Sequence, residues 1–216
     1  MLDIRTVFRG LPALDMLDQP LMQADNLYPV LPKIAGILQP KVYVEFGTRL
    51  GHSLIALVHG SPQSFERILW ADNESYVPGS NEAAAKNLEA YYRDFQRALP
   101  PQYTFRSSPA EIPPLLNGLK PDLVYVDGDH SYDGTIRDLE IAYQIGPKVI
   151  MVDDVRVPQD PQIGEAVRTW SASHGFPHFE IVTFERNMTF FDFVPDRMPS
   201  LDVQFRNAGI ELFEEA

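Results

Sequence analysis

An α/β fold is predicted for this chain, with a mostly parallel sheet, helices on both faces and a C-terminal antiparallel hairpin. Three observations predict it. From residue 41 onward, short apolar strand-like segments alternate with helical ones, the pattern of repeated βα units. At Val42–Ser53 an apolar strand runs into a glycine loop and then into a helix start. At the far end Phe179–Phe184 and Met188–Phe193, both alternating apolar and polar residues, are separated only by Glu185-Arg186-Asn187, which suggests a hairpin. A chain of 216 residues suits one such domain with short additions.

The elements follow in order. Residues 1–40 include Pro12, Pro20, Pro29 and Pro32. Leu27, Leu31, Ile34, Ala35 and Leu38 there have helical spacing, ended by Gln39-Pro40. This stretch reads as an N-terminal extension over the sheet or the site, a candidate lid or dimer arm. The main domain is expected over 41–194. Its strands are Val42–Glu45, Arg67–Ala71, Tyr103–Arg106, Leu123–Val126 and Val149–Val152 before the hairpin. Its helices are Ser53–His59, Asn81–Leu99 stopped by Pro100-Pro101, Ala110–Leu119 with Pro113 and Pro114 in the first turn, Tyr132–Ile145 and Gly164–His174. Residues 195–216 read as a C-terminal tail whose last residues fray.

Composition narrows the function classes. The formal net charge is −12 and no Lys/Arg cluster stands out, which disfavours nucleic acid or an anionic membrane as partner. No apolar run approaches the ~20 residues of a membrane span. The first residues lack the basic and apolar pattern of a secretory signal, so a cytoplasmic location is expected. The absence of cysteine removes disulfides, thiolate catalysis and cysteine-ligated zinc.

The loop Glu45-Phe-Gly47-Thr48-Arg49-Leu-Gly51-His52-Ser53 departs from the dinucleotide fingerprint, which needs glycine where Arg49 and His52 stand. Glu45 would also repel a phosphate. The loop therefore suits a nucleoside without phosphate and with positive charge, a description met by S-adenosylmethionine (SAM). Asp72 follows the second strand, 21 residues after Gly51, where a carboxylate accepts hydrogen bonds from vicinal ribose hydroxyls. Asn73 stands beside it as a helper or a turn residue.

Leu123–Val126 delivers Asp127-Gly-Asp129-His130-Ser131-Tyr132, and Val149–Val152 delivers Asp153-Asp154. On adjacent parallel strands these carboxylates would share one crevice and repel each other. A divalent cation removes that conflict, and an all-oxygen set suits Mg²⁺, Ca²⁺ or Mn²⁺. His130 could take the proton of a substrate hydroxyl acidified by the metal. Asp129 and Asp133 read as turn or cap residues, and His52 as a packing residue at the helix start.

These residues resemble the class I SAM-dependent methyltransferases, in particular the branch of macrocin-type O-methyltransferases and cephalosporin-hydroxylase-like proteins. The resemblance spans roughly residues 41–193. It implies a Rossmann-like sheet of about seven strands ending in the antiparallel hairpin. Glu45, Gly47, Thr48, Gly51 and Ser53 look like the SAM loop, Asp72 like the ribose carboxylate, and Ser107 and Ser108 stand near the adenine position. The most specific stretch is Val126-Asp127-Gly-Asp129-His130-Ser131-Tyr132-Asp133-Gly134 followed by Asp153-Asp154. It implies a Mg²⁺ site at Asp127, Asp153 and Asp154, with His130 as base and Asp127 beside the reacting atoms. The resulting expectation is metal-assisted O-methylation of a small molecule by a chain that could dimerise. Two alternatives stand beside it. One is a non-catalytic SAM-binding protein. The other is a metal-dependent hydrolase or phosphatase using the Asp cluster, although Asp129 and Asp153 lie too close in sequence for a dehalogenase-type phosphatase. A nicotinamide-dependent oxidoreductase is disfavoured by Arg49 and His52.

Overall fold

The computed structural model describes residues 3–12, 27–183 and 187–213. Most of the hairpin link (Glu185 and Arg186), part of the extension and the terminal Glu-Glu-Ala fall outside these. Two N-terminal helices, α1 (Ile4–Arg9) and α2 (Leu27–Leu38), precede the sheet. The α/β series then runs β1 (Val42–Phe46), α3 (His52–Gly60), β2 (Arg67–Ala71), α4 (Ser80–Tyr91), β3 (Gln102–Arg106), α5 (Pro113–Leu116), β4 (Leu123–Val126), α6 (Tyr132–Gln144), β5 (Val149–Val152) and α7 (Pro161–His174). It closes with β6 (His178–Ile181), β7 (Met188–Asp192), α8 (Met198–Asn207) and β8 (Leu212–Phe213).

The strands form one sheet in the order β3-β2-β1-β4-β5-β7-β6-β8. The first five are parallel, while β7 is antiparallel to β5 and to β6. β8 then adds to the outer edge of β6, pairing Leu212 with Ile181. Among the described residues the count is therefore eight rather than about seven. Residues 195–216, expected as a tail, carry α8 and β8 instead. Leu201 and Phe205 bury one face of α8, and Phe205 meets the rings of Phe179 and Phe190. Two buried apolar helix residues and a two-residue strand give too weak a periodicity to be read beforehand.

Alternation along each strand splits the apolar residues between two cores. Tyr43, Tyr125 and Met151 face the layer with α1–α4 and α8. Val44, Phe46, Val124, Val126, Ile150 and Val152 face the layer with α5–α7. The N-terminal helices belong to the first layer, through Ile4, Val7, Phe8, Leu31 and Ile34. At the first layer's edge Trp70 stacks on Tyr103 and Phe105 across β2 and β3.

Helix ends follow local chemistry. The helix expected over Asn81–Leu99 is α-helical only to Tyr91. It widens into a π turn over Tyr92–Gln96 and ends at Arg97, in the left-handed region at φ 52°. The prolines at 100 and 101 forbid helical continuation through Leu99. Ala110–Leu119 resolves into a 3₁₀ turn at Pro109–Glu111 and the short α5, closed by left-handed Asn117. At α6 the cap is Ser131, whose Oγ accepts from the Gly134 N–H at 3.1 Å. Ser131→Ala should cost about 1 kcal/mol, the usual worth of such a cap, read as a lowered urea midpoint at constant slope.

Candidate active site

In the strand order, β2 lies on one side of β1 and β4 on the other, so the chain reverses its winding direction there. Such a switch point opens a crevice beyond the carboxyl ends of the strands. The glycine loop leaves β1 and the Asp127 loop leaves β4 at that crevice. The two backbones touch: a Cβ added to Gly47, whose φ is +84°, would lie 1.8 Å from the Asp127 carbonyl oxygen. Only glycine fits. Gly51, at φ +89°, turns the chain into α3.

Glu45 is fully buried at the end of β1. It accepts from the Tyr43 hydroxyl at 2.7 Å and from the Ser53 hydroxyl at the start of α3. Burial pushes the Glu45 carboxyl up to about 8 against those two hydrogen bonds, with Asp127 and Asp72 adding to the rise. Carboxylates from three strand ends therefore converge electrostatically on this crevice, which favours a cationic ligand. Direct contact between Glu45 and a ligand is closed in this conformation. Thr48 Oγ1 is buried without a hydrogen-bond partner, a state that a ligand's polar group would relieve.

Asp72 holds the entrance. It accepts from the Arg49 N–H at 2.6 Å, the Glu74 N–H at 2.7 Å and Ser80 Oγ at 3.1 Å. A carboxylate has about four acceptor sites, so capacity for a ribose hydroxyl remains. Asn73 caps its own turn by accepting from the Ser75 N–H. Glu74 accepts from the Gly79 and Asn81 N–H groups, and these bonds hold its carboxyl below the usual range. At the end of β3, Ser107 donates to Glu111 and Ser108 caps the 3₁₀ turn. Both have local structural work.

The acidic cluster forms, with a changed membership. Asp127, His130 and Asp154 each offer one ligand atom, all within 4.8 Å of one another. His130 Nε2 lies 3.6 Å from Asp127 Oδ1 and 3.8 Å from Asp154 Oδ2. Asp153, expected in the ligand set, stands outside this group. It is 2% exposed, accepts from the Tyr125 hydroxyl at 2.8 Å and from the Asp154 N–H at 2.9 Å. The reason is strand alternation: Asp153 continues the Met151 face of β5, so it turns back toward Tyr125 on β4. Asp154 adopts φ 59° and so leaves the strand line.

Asp160 is a site residue that the sequence did not reveal. It precedes Pro161 at the start of α7, a capping position, yet makes no side-chain cap bond. Its Oδ2 instead lies 3.1 Å from His130 Nδ1. Gln162 links the pair, donating to the His130 carbonyl at 2.9 Å and to Asp160 Oδ1 at 3.1 Å. The Asp-Pro pair signals a helix start, but nothing local pairs it with a histidine 30 residues earlier. Asp127, with Asp160 and Asp154, pushes the His130 imidazole up to about 9 against its burial. His52, by contrast, packs edge-on to Phe8 and near Tyr28 beneath the glycine loop.

The donor sets suit a SAM-type cofactor, and for a divalent cation they differ from the all-oxygen set the resemblance implies. A SAM-type cofactor finds an acidic crevice, a glycine turn and an orphaned Thr48 hydroxyl. A divalent cation finds two carboxylates and an imidazole that converge. Among the described residues no helix is long and apolar enough to cross a membrane.

A doubly wound sheet with an antiparallel closing strand and a crevice between β1 and β4 is the class I methyltransferase fold. No family model matches the sequence, and no curated protein does. Solved structures do. The O-methyltransferase from Bacillus cereus in complex with SAH superposes with a TM-score of 0.58 at 17% identity, covering 89% of this chain and 92% of that one. The O-methyltransferase TomG from Streptomyces achromogenes, involved in tomaymycin synthesis and bound to SAM, gives 0.58 at 19% identity over 89% and 91%. An SAH-bound methyltransferase from Podospora anserina gives 0.57 at 17% identity over 88% and 86%.

Proposed function

We propose that this chain is a SAM-dependent methyltransferase acting on an oxygen of a small molecule with the help of a divalent cation. The observation that carries the reading is the convergence of the glycine loop, Asp72 and the Asp127–His130–Asp154 cluster on one switch-point crevice. Gly47 and Gly51 shape the loop, Thr48 and Ser53 line its turn, and Asp72 accepts a ribose hydroxyl. Glu45 acts from beneath, through Ser53 and through the negative charge it gains when a bound cation displaces its proton. Asn73, Ser107 and Ser108 hold the adjoining turns in which the base would lie.

SAM, when bound, supplies the electrophilic methyl group, so the acceptor oxygen must lose its proton as the carbon–sulfur bond breaks. A divalent cation at Asp127 and Asp154 would lower the pKa of an acceptor hydroxyl. His130 faces the same point and can accept a proton only as a neutral ring. The surrounding carboxylates hold it protonated at neutral pH unless positive charge stands between them. The net charge of −12 favours a small acceptor over nucleic acid.

Calorimetric titration with SAM, using NADH as control, tests the reading. Micromolar SAM binding without NADH binding is expected, and absence of SAM binding by the folded protein overturns it. Asp72→Asn should weaken SAM by about 1.5–3 kcal/mol, the worth of hydrogen bonds to a charged group. Unchanged affinity would remove Asp72 from the ribose.

A further inference from the structure

We propose that His130 is itself a ligand of the metal through Nε2, that Asp160 fixes it in place, and that the site prefers a first-row transition ion to Mg²⁺. The proposal rests on the metal-assisted reading above and changes which residues carry it.

The argument is geometric. Ligand atoms bound about 2.0–2.2 Å from one cation stand roughly 3–4.3 Å apart, depending on whether they are adjacent or opposite. The separations from His130 Nε2 to Asp127 Oδ1 and Asp154 Oδ2, 3.6 and 3.8 Å, fall in that range. With no cation between them they are the distances of ion pairs to a protonated ring, and a cation bound there would take the place of that proton. The far ring nitrogen, Nδ1, lies 3.1 Å from Asp160 Oδ2. A metal-bound histidine characteristically donates its other N–H to a carboxylate in this way, which fixes the tautomer and raises the ligand's basicity. Asp160 forgoes its own cap bond for this contact, and Gln162 ties it to the His130 backbone.

Asp153, the third ligand the all-oxygen site would need, stands outside the group whose ligand atoms converge. Its two carboxylate oxygens accept from Tyr125 and from the Asp154 backbone, so it steadies Asp154. The set that remains is two carboxylates and one imidazole. Mg²⁺ strongly prefers oxygen in near-ideal octahedral geometry. A nitrogen donor shifts preference toward iron, nickel, copper or zinc. As a ligand, His130 no longer serves as the base.

The test uses the full chain, with Zn²⁺ for affinity and Mn²⁺ as the paramagnetic probe. Titration should show Zn²⁺ bound at least about tenfold more tightly than Mg²⁺. Electron spin-echo modulation of the bound Mn²⁺ should show a coordinated ¹⁴N, lost in His130→Ala. Asp160→Asn should weaken Mn²⁺ by about 10–100-fold, the usual cost of removing such a partner, while its circular dichroism is unchanged. Bound Mn²⁺ without ¹⁴N coupling overturns the proposal in favour of an all-oxygen site, and absence of Mn²⁺ binding overturns it outright. SAM affinity, measured on the same samples without metal, separates the two levels. SAM binding with no nitrogen signal defeats only this inference, whereas no SAM binding defeats the methyltransferase reading.

Discussion

Gly47→Ala should lower stability by about 2–6 kcal/mol, or prevent folding, and should remove SAM binding in any fraction that folds. Two costs add. A non-glycine residue at φ +84° carries a left-handed backbone penalty of about 1–3 kcal/mol. The new Cβ would also stand 1.8 Å from the Asp127 carbonyl oxygen, 2.4 Å from its carbon and 2.8 Å from Gly128 Cα. These are all backbone atoms, so no side chain can swing away, and overpacking of this kind costs a further ~1–3 kcal/mol. Relief requires the β1 and β4 loops to separate, which opens the crevice. Gly79→Ala is the control. Gly79 has φ +78° but nothing within 4 Å of its added Cβ, so only the backbone penalty applies. Urea unfolding of the two variants should differ by the overpacking cost. Equal losses would mean that the loops do not meet.

SAM affinity should rise with pH through a group near 8, and Glu45→Gln should flatten that rise. Glu45 is held protonated by burial up to about 8. A cation arriving in the crevice favours the carboxylate, so binding should release a proton and should weaken as pH falls. Between pH 8 and pH 6.5 the expected change is on the order of tenfold, for charges a few ångströms apart in a partly shielded medium. Calorimetry in buffers of different ionisation enthalpy reads the proton directly. Titration of the ligand's own amine is common to both proteins and cancels in the comparison. The sign for folding is opposite. The folded carboxyl takes its proton more tightly than the unfolded one, so its contribution to stability is complete below the unfolded value near 4.5 and is lost as pH rises through about 8. Glu45→Gln carries no such loss and should gain on the wild type across that window. A parallel pH profile for both proteins would place the titrating group elsewhere.

Both expectations concern residues that the sequence already singled out, and the reason is shared. Gly47, Glu45, Asp72 and Asp127 sit within two residues of a strand end. Strand ends are legible because five short apolar runs alternate with helices, and the side-chain period of two assigns each flanking residue to a face. The five parallel strands were located within a residue of where they lie. The crevice follows from the order in which βα units wind, so its contents could be listed before its geometry was known.

What the chain does at its C-terminal end was not legible. β8 and α8 gain their stability from Ile181, Phe179 and Phe190, residues 15 to 31 positions earlier, and too few buried apolar positions mark them locally. The membership of the acidic cluster was hidden for a related reason. Asp153 and Asp154 are adjacent in sequence and equivalent in composition, yet one faces Tyr125 and the other His130. Backbone conformation at Asp154 makes that choice.

The sequence alone therefore determined the α/β architecture, the glycine loop, its departure from a phosphate-binding form, and the concentration of acid around it. Those follow from local periodicity and residue chemistry. Only the tertiary structure decided the burial of Glu45 under Tyr43 and Ser53, the exclusion of Asp153, and the pairing of Asp160 with His130. Each of these depends on side chains brought together from separate elements, where neither propensity nor spacing carries information.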